Sequence, residues 1–143
     1  MQEDARTTLH GHCLCGKVRL QVQPEALHAD ACHCGMCRRW GGGPFLSLGC
    51  GAQLRFERGE DAVALFDSSE WGQRGFCTHC GSHLFYRLRA QGTYYVSAGL
   101  FGEVEGLRLE SEIFIDRKPA WYAFANPTRK MTEAEVIAAF ASG

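Results

Sequence analysis

Seven of the eight cysteines are bunched into three short motifs, Cys13-x-Cys15, Cys32-x-Cys34-x-x-Cys37 and Cys77-x-x-Cys80. Nothing else in the chain limits its fold as strongly. Neighbours with one or two residues between them are badly spaced for ordinary disulfides with each other, but well spaced for two thiolates gripping one ion. A disulfide framework belongs to secreted domains, whereas the start Met1-Gln2-Glu3-Asp4-Ala5-Arg6 is polar and acidic rather than a basic segment followed by an apolar one. The expectation is metal ligation in a reducing, cytoplasmic setting.

The seven divide most economically as four plus three. Cys13, Cys15, Cys77 and Cys80 would close a four-thiolate site, structural because no ligand position stays open. Cys32, Cys34 and Cys37 would form a second site with one exchangeable position, as catalytic zinc has. Two sulfurs on one tetrahedral zinc lie about 3.8 Å apart, given a zinc–sulfur bond near 2.3 Å. Residues i and i+2 of a strand lie about 6.7 Å apart, so the chain must bend at Cys13-x-Cys15, and Gly16 gives it that freedom. Cys34 and Cys37 would face together if a helical turn begins there. Two alternatives stay open at this point. Cys50, His33, His12 or His79 could close the second site and make it structural, or Cys77-x-x-Cys80 could be a redox pair, although such pairs usually stand near a βαβ pattern.

The rest of the chain reads as scaffold. Its 143 residues are 45% hydrophobic, enough for one domain with a sizeable core. The expected organisation is a flexible segment over residues 1–8 and a single zinc-binding domain over 9–143. A balance of 15 basic against 16 acidic side chains, without a Lys/Arg run, argues against nucleic acid, and no apolar run is long enough to span a membrane. Short extended segments are expected at Val18–Val22, Ala26–Ala31, Phe45–Leu48, Leu54–Phe56, Ala62–Phe66, Ser82–Leu88, Thr93–Ala98 and Glu112–Ile115. Asp67–Phe76 reads as a polar loop, and Gly41-Gly42-Gly43-Pro44 as another. Thr132-Glu133-Ala134-Glu135 is a capping box opening a short C-terminal helix, with Val136, Ile137 and Phe140 on one face. The fold class is mainly β.

Cys13-x-Cys15-Gly16-x-Val18-Arg19, Cys32-His33-Cys34-x-x-Cys37-Arg38-Arg39, Arg74-Gly75-Phe76-Cys77-x-x-Cys80-Gly81-Ser82-x-Leu84 and Glu112-Ile113-Phe114-Ile115-Asp116-x-Lys118-Pro119-Ala120-Trp121-Tyr122 resemble the glutathione-dependent formaldehyde-activating enzyme family, which includes centromere protein V. The resemblance runs from about Gly11 to Trp121. It implies a β-tent of small antiparallel sheets around two zinc ions per chain, a structural one on Cys13, Cys15, Cys77 and Cys80 and a functional one on Cys32, Cys34 and Cys37. It also implies a carbon–sulfur lyase that adds glutathione or another small thiol to formaldehyde or a small aldehyde. The alternatives are a non-catalytic thiol carrier and an interaction module with structural zinc only.

Among the remaining candidates, Arg38 and Arg39 would meet a substrate carboxylate or offset thiolate charge, or simply be solvated. His33 could shuttle a proton, but between two ligands in an extended chain it points away from them and better suits packing or a supporting hydrogen bond. Trp71 and Phe45 could wall a pocket over the second site, although aromatics in a chain of this composition are more often core, and Trp121 and Tyr122 are likewise expected in the core. Cys50, between two glycines, reads as a buried, inert thiol. No general base can be named from the sequence.

Overall fold

The computed structural model describes residues 6–142, so residues 1–5 of the expected flexible segment lie outside them. In chain order the elements are β1 (Leu9–His12), β2 (Arg19–Val22), β3 (His28–Cys32), α1 (Gly35–Gly41), β4 (Phe45–Gly51), β5 (Leu54–Arg58), β6 (Val63–Asp67), β7 (Gly72–Cys77), β8 (His83–Leu88), β9 (Thr93–Ser97), β10 (Arg108–Ile113), β11 (Arg129–Met131) and α2 (Glu133–Ser142). The architecture is mainly β with a short C-terminal helix, as expected. No helix among the described residues is long and apolar enough to cross a membrane. The chain forms two compact units, one from Met1–Leu27 with Ser47–Gly106 and one from His28–Leu46 with Leu107–Gly143.

The first unit is antiparallel throughout. Strands β1, β2 and β5 form one sheet, and β4, β9, β8, β7 and β6 are hydrogen-bonded in that order. Along β2 the fully buried Leu20 and Val22 alternate with the half-buried Arg19 and Gln21, which is the period-two pattern visible in the sequence. Leu48, Leu84, Phe85 and Val96 fill the core of the β4–β9 set. Phe56 of β5 and Phe85 of β8 meet with ring centroids 6.4 Å apart.

The expected loop over Asp67–Phe76 is in part wrong, because β7 occupies Gly72–Cys77 and pairs with strands on both sides. Its polar and glycine-rich composition hides tight packing. A Cβ on Gly75 would come 2.4 Å from the Phe85 ring, and one on Gly72 would come 2.2 Å from the Tyr86 hydroxyl. Arg74 is only 3% exposed, and its guanidinium lies 4.9 Å from the Tyr86 ring centroid, so a cation–π contact hides the charge that suggests a loop.

The second unit departs from the antiparallel expectation. Strand β10 pairs in parallel with β3 on one side and with β11 on the other. Between β3 and β10 the chain leaves to build Ser47–Gly106, and a connection that long lets a strand return in the same direction, which a tight hairpin cannot. Strand β10 ends at Ile113 because Phe114 takes a left-handed conformation with φ 55°. The capping box forms as expected: Glu135 N–H donates to Thr132 Oγ1 at 3.2 Å, and Thr132 N–H donates to Glu135 Oε1 at 2.7 Å. Only Val136 of the expected apolar face is buried, with Ile137 and Phe140 exposed. The placement of Trp121 in the core is also corrected, since it is 74% exposed, while Tyr122 is half-buried because its hydroxyl is anchored.

Gly59 has φ +81°, and a Cβ there would lie 2.0 Å from the Lys17 carbonyl oxygen, whereas at Gly92, φ +66°, it would meet only the end of the flexible Arg87 side chain at an ordinary contact distance of 3.8 Å. Gly92→Ala should therefore cost only the conformational penalty, about 1 kcal/mol, and Gly59→Ala at least about 2 kcal/mol because backbone must also move. Urea denaturation of the two variants measures the difference, and equal midpoints would contradict the close approach at Gly59.

Candidate functional site

Two tight turns carry the first set of cysteines. After β1 the chain folds back so that Cys13 N–H donates to Val18 O at 3.1 Å and Gly16 N–H to Cys13 O at 3.0 Å. After β7 the Gly81 N–H donates to Cys77 O at 2.7 Å. Gly16 and Gly81 share φ +79°, the left-handed conformation that each turn needs. The turns bring the sulfurs of Cys13, Cys15, Cys77 and Cys80 within 4.8 Å of one another. Cys13 and Cys15 are 3.6 Å apart and Cys15 and Cys77 3.9 Å, close to the ~3.8 Å that two sulfurs adopt on one tetrahedral zinc. All four thiols are free.

Backbone and hydroxyl groups already point at these sulfurs. Val18 N–H donates to Cys13 Sγ at 3.3 Å, and Ser82 Oγ lies 3.2 Å from Cys80 Sγ while also accepting from Leu14 N–H at 3.0 Å. The Ser82 hydroxyl and two amides draw the Cys80 thiol down to about 5. Cys15 moves the other way: the Lys17 amide favours its thiolate, but burial and the three neighbouring sulfurs outweigh it and push the thiol up to about 11. Packed thiols cannot all ionise together without a cation, and this donor set suits one.

The second cluster is built on a helix start. Cys32 ends β3, and Cys34 is the N-cap of α1, its Sγ accepting the Cys37 N–H at 3.3 Å, so Cys37 sits in the first turn on the same side. The three sulfurs lie within 4.8 Å of one another. Hydrogen bonds from Cys32, Cys37 and two amides bring Cys34 down to about 2, while Cys34 and Cys37, with burial, push Cys32 far up. The Cys37 amide aimed at Cys34 Sγ favours its thiolate. Among the described residues no further histidine, cysteine or carboxylate joins the three. Cys50 is fully buried with its thiol donating to Leu48 O at 3.5 Å, and burial, aided by Glu25, pushes it up to about 12. His12 Nδ1 is 2.7 Å from Cys13 O.

His33 is fully buried beneath this cluster with both ring nitrogens engaged, Nε2 2.8 Å from Glu112 Oε1 and Nδ1 2.8 Å from Tyr122 Oη. Glu112 is 2% exposed, and its other oxygen accepts from Thr128 Oγ1 at 2.5 Å and faces Lys130 Nζ at 3.7 Å. Burial disfavours charge on Glu112, but the Thr128 and His33 hydrogen bonds and the His33 and Lys130 charges outweigh it and hold the carboxyl below its ordinary value. An ionised carboxylate only accepts, so His33 Nε2 carries the hydrogen of their bond. Sequence reasoning missed Glu112, Tyr122 and Thr128 as supports of the cluster. The available signal was a charged residue, Glu112, set against the apolar run Ile113-Phe114-Ile115.

Of the two candidate arginines, Arg38 donates from Nε to the His33 carbonyl at 3.0 Å, and Arg39 donates from Nη1 to Gly35 O at 3.2 Å on an exposed face. Both stand in the last turn of α1. Trp71 is 67% exposed.

The sequence profile described as glutathione-dependent formaldehyde-activating enzyme matches residues 8–117, which include both cysteine clusters. The chain belongs to this family. An uncharacterized lyase of Schizosaccharomyces pombe is 33% identical over 128 residues, covering 89% of this chain and 93% of that protein. A Talaromyces marneffei protein provisionally named glutathione-dependent formaldehyde-activating enzyme is 28% identical over 85 residues, covering 58% of this chain and 46% of that protein. The match thus spans less than half the length of that second family member. A crystal structure of a Rhodobacter sphaeroides protein superposes with a TM-score of 0.59 at 23% identity, covering 70% of this chain and 99% of that one, and shows the shared fold.

In the family frame Cys50 is the one cysteine outside the clusters, and its burial makes it inert. Alkylation of the native protein should leave Cys50 unmodified while the exposed Cys15, freed of metal by a chelator, reacts. Peptide mass spectrometry before and after unfolding checks this, and Cys50 labelling at the rate of Cys15 would contradict its burial.

Proposed function

We propose that the protein holds two zinc ions, one on Cys13, Cys15, Cys77 and Cys80 and one on Cys32, Cys34 and Cys37, and that at the second it adds a small thiol, such as glutathione, to formaldehyde or another small aldehyde. The observation that carries the reading is the three-thiol convergence at the start of α1 with no fourth histidine, cysteine or carboxylate donor among the described residues. The names of the relatives, a lyase and a glutathione-dependent formaldehyde-activating enzyme, agree with it. When bound at a three-cysteine site, zinc offers an open position that favours the thiolate form of a thiol.

The reaction itself asks little more of the protein. A sulfur–carbon bond forms, the carbonyl π electrons move to oxygen, and the proton that leaves the thiol ends on that oxygen, giving a hydroxymethyl thioether without any change of oxidation state. Arg38 and Arg39 place positive charge in the last turn of α1, which suits a substrate carboxylate. His33 has both nitrogens committed to Glu112 and Tyr122, so its part is to hold the cluster rather than to meet substrate. That commitment also favours a second reading, a thiol carrier that binds glutathione without turnover, because among the described residues no further histidine joins the cluster to move a proton. Either role fits a reducing compartment such as the cytoplasm, where these thiols stay reduced.

Metal analysis should give two zinc ions per chain, and X-ray absorption with glutathione should show a fourth sulfur on one of them. Cys34→Ser should lose one zinc and the thiol response while keeping the other zinc. Formaldehyde consumption followed by NMR should exceed the uncatalysed rate with glutathione in the wild type and fall to it in Cys34→Ser. Consumption at the background rate with saturable thiol binding would replace the enzyme reading by the carrier, and no thiol effect on either metal would remove both.

A further inference from the structure

We propose that Glu112 is the positioning residue of the three-cysteine cluster, acting on it through His33. The inference rests on the reading that Cys32, Cys34 and Cys37 take a metal ion. It starts from the peptide between the first two of them. His33 is held at four points: its N–H donates to Ile113 O at 3.1 Å, its carbonyl accepts from Arg38 Nε at 3.0 Å, and its ring bonds Glu112 on one side and Tyr122 on the other, each at 2.8 Å. Cys32 and Cys34 are attached directly to this fixed residue. Cys37 follows, because Cys34 caps the helix on which Cys37 sits. All three sulfurs are thus placed by the protein's own bonds, with Glu112 at the far end.

Glu112 is also the most demanding member of the network to bury. A carboxylate at 2% exposure is stabilised only where its lone pairs are satisfied, and here His33 Nε2 and Thr128 Oγ1 engage both oxygens, with Lys130 beyond. A well-packed apolar pair would serve stability as well as a buried ion pair does, so directional bonds at this place are better understood as fixing geometry. Neighbours that orient metal ligands commonly contribute about 10–100-fold in metal affinity. A fixed triplet would take its ion without reorganising.

The first cluster provides an internal control, because its sulfurs are positioned by the turns at Gly16 and Gly81 and by Ser82 rather than by this network. Chelator competition on the full-length zinc-loaded chain reads the two ions separately, with Cys34→Ser identifying which phase belongs to the second cluster. Glu112→Ala should weaken that phase roughly 10–100-fold and leave the other unchanged. Glu112→Gln, which keeps a carbonyl acceptor for His33 Nε2–H, should recover most of the affinity. Thr128→Val and Tyr122→Phe each remove one outer bond and should give smaller losses in the same phase, which preserves the test should Glu112→Ala fail to fold. Equal weakening of both phases, or no change in either, would overturn the role of Glu112. A wild-type chain that binds one zinc would overturn the metal reading itself, and this inference with it.

Discussion

The cluster of Cys13, Cys15, Cys77 and Cys80 brings the sulfurs of Cys15 and Cys77, 62 positions apart, to 3.9 Å, and the first unit is organised around that approach. The turn after β1 and the turn after β7 belong to different sheets, so the sulfur cluster ties one to the other where no strand pairing does. Four thiols this close are electrostatically frustrated without a cation. Their opposed displacements, Cys80 to about 5 and Cys15 to about 11, express a cluster that can accept negative charge at some sulfurs only by denying it at others. A divalent ion would remove the conflict, and its binding free energy would then add to folding in a domain whose strands are short.

The second cluster solves the same placement problem with different means. Its cysteines come from a single continuous stretch, so no long loop closes on them. The strand end at Cys32, the N-cap at Cys34 and the first helical turn at Cys37 set the spacing, and the buried His33 fixes the orientation. The four-thiol set is thus closed by two turns far apart in sequence, and the three-thiol set is offered by one helix start.

The grouping of cysteines, the alternation along β2 and the capping box of α2 were legible because each is written in residues close in sequence. The bond from His33 to Glu112 joins residues 79 apart, and nothing in local spacing announces it. Strand β7 was hidden for another reason. Glycine and arginine lower strand propensity, yet Gly72 and Gly75 are there because aromatic rings lie where side chains would be, and Arg74 is covered by Tyr86. Tertiary packing overrode composition. Trp121 shows the reverse error: its apolar character suggested the core, but the chain there is short and polar-anchored, with Lys118 Nζ bonded to the Pro119 and Tyr122 carbonyls, and the indole is left outside. The parallel pairing of β3 with β10 was beyond reach for the same reason as His33–Glu112, since it depends on where a long excursion returns.

The matched family segment, residues 8–117, contains every clustered cysteine together with His33 and Glu112, but it stops before Tyr122 and Thr128. The innermost bond of the network thus lies within the shared segment, while the two groups that complete it arrive from the following stretch. His33 Nδ1 and Glu112 Oε2 are both buried acceptor or donor atoms that would carry a desolvation cost if left alone, about 1–3 kcal/mol each. In this protein the segment from Tyr122 to Lys130 meets that demand while also delivering β11 to the edge of β10. The strand pairing and the side-chain bonds therefore support each other: β11 holds Thr128 in reach of Glu112, and the buried carboxylate gives β11 a reason to dock in one register. The polarity beneath the cluster and the parallel sheet beside it are parts of one arrangement.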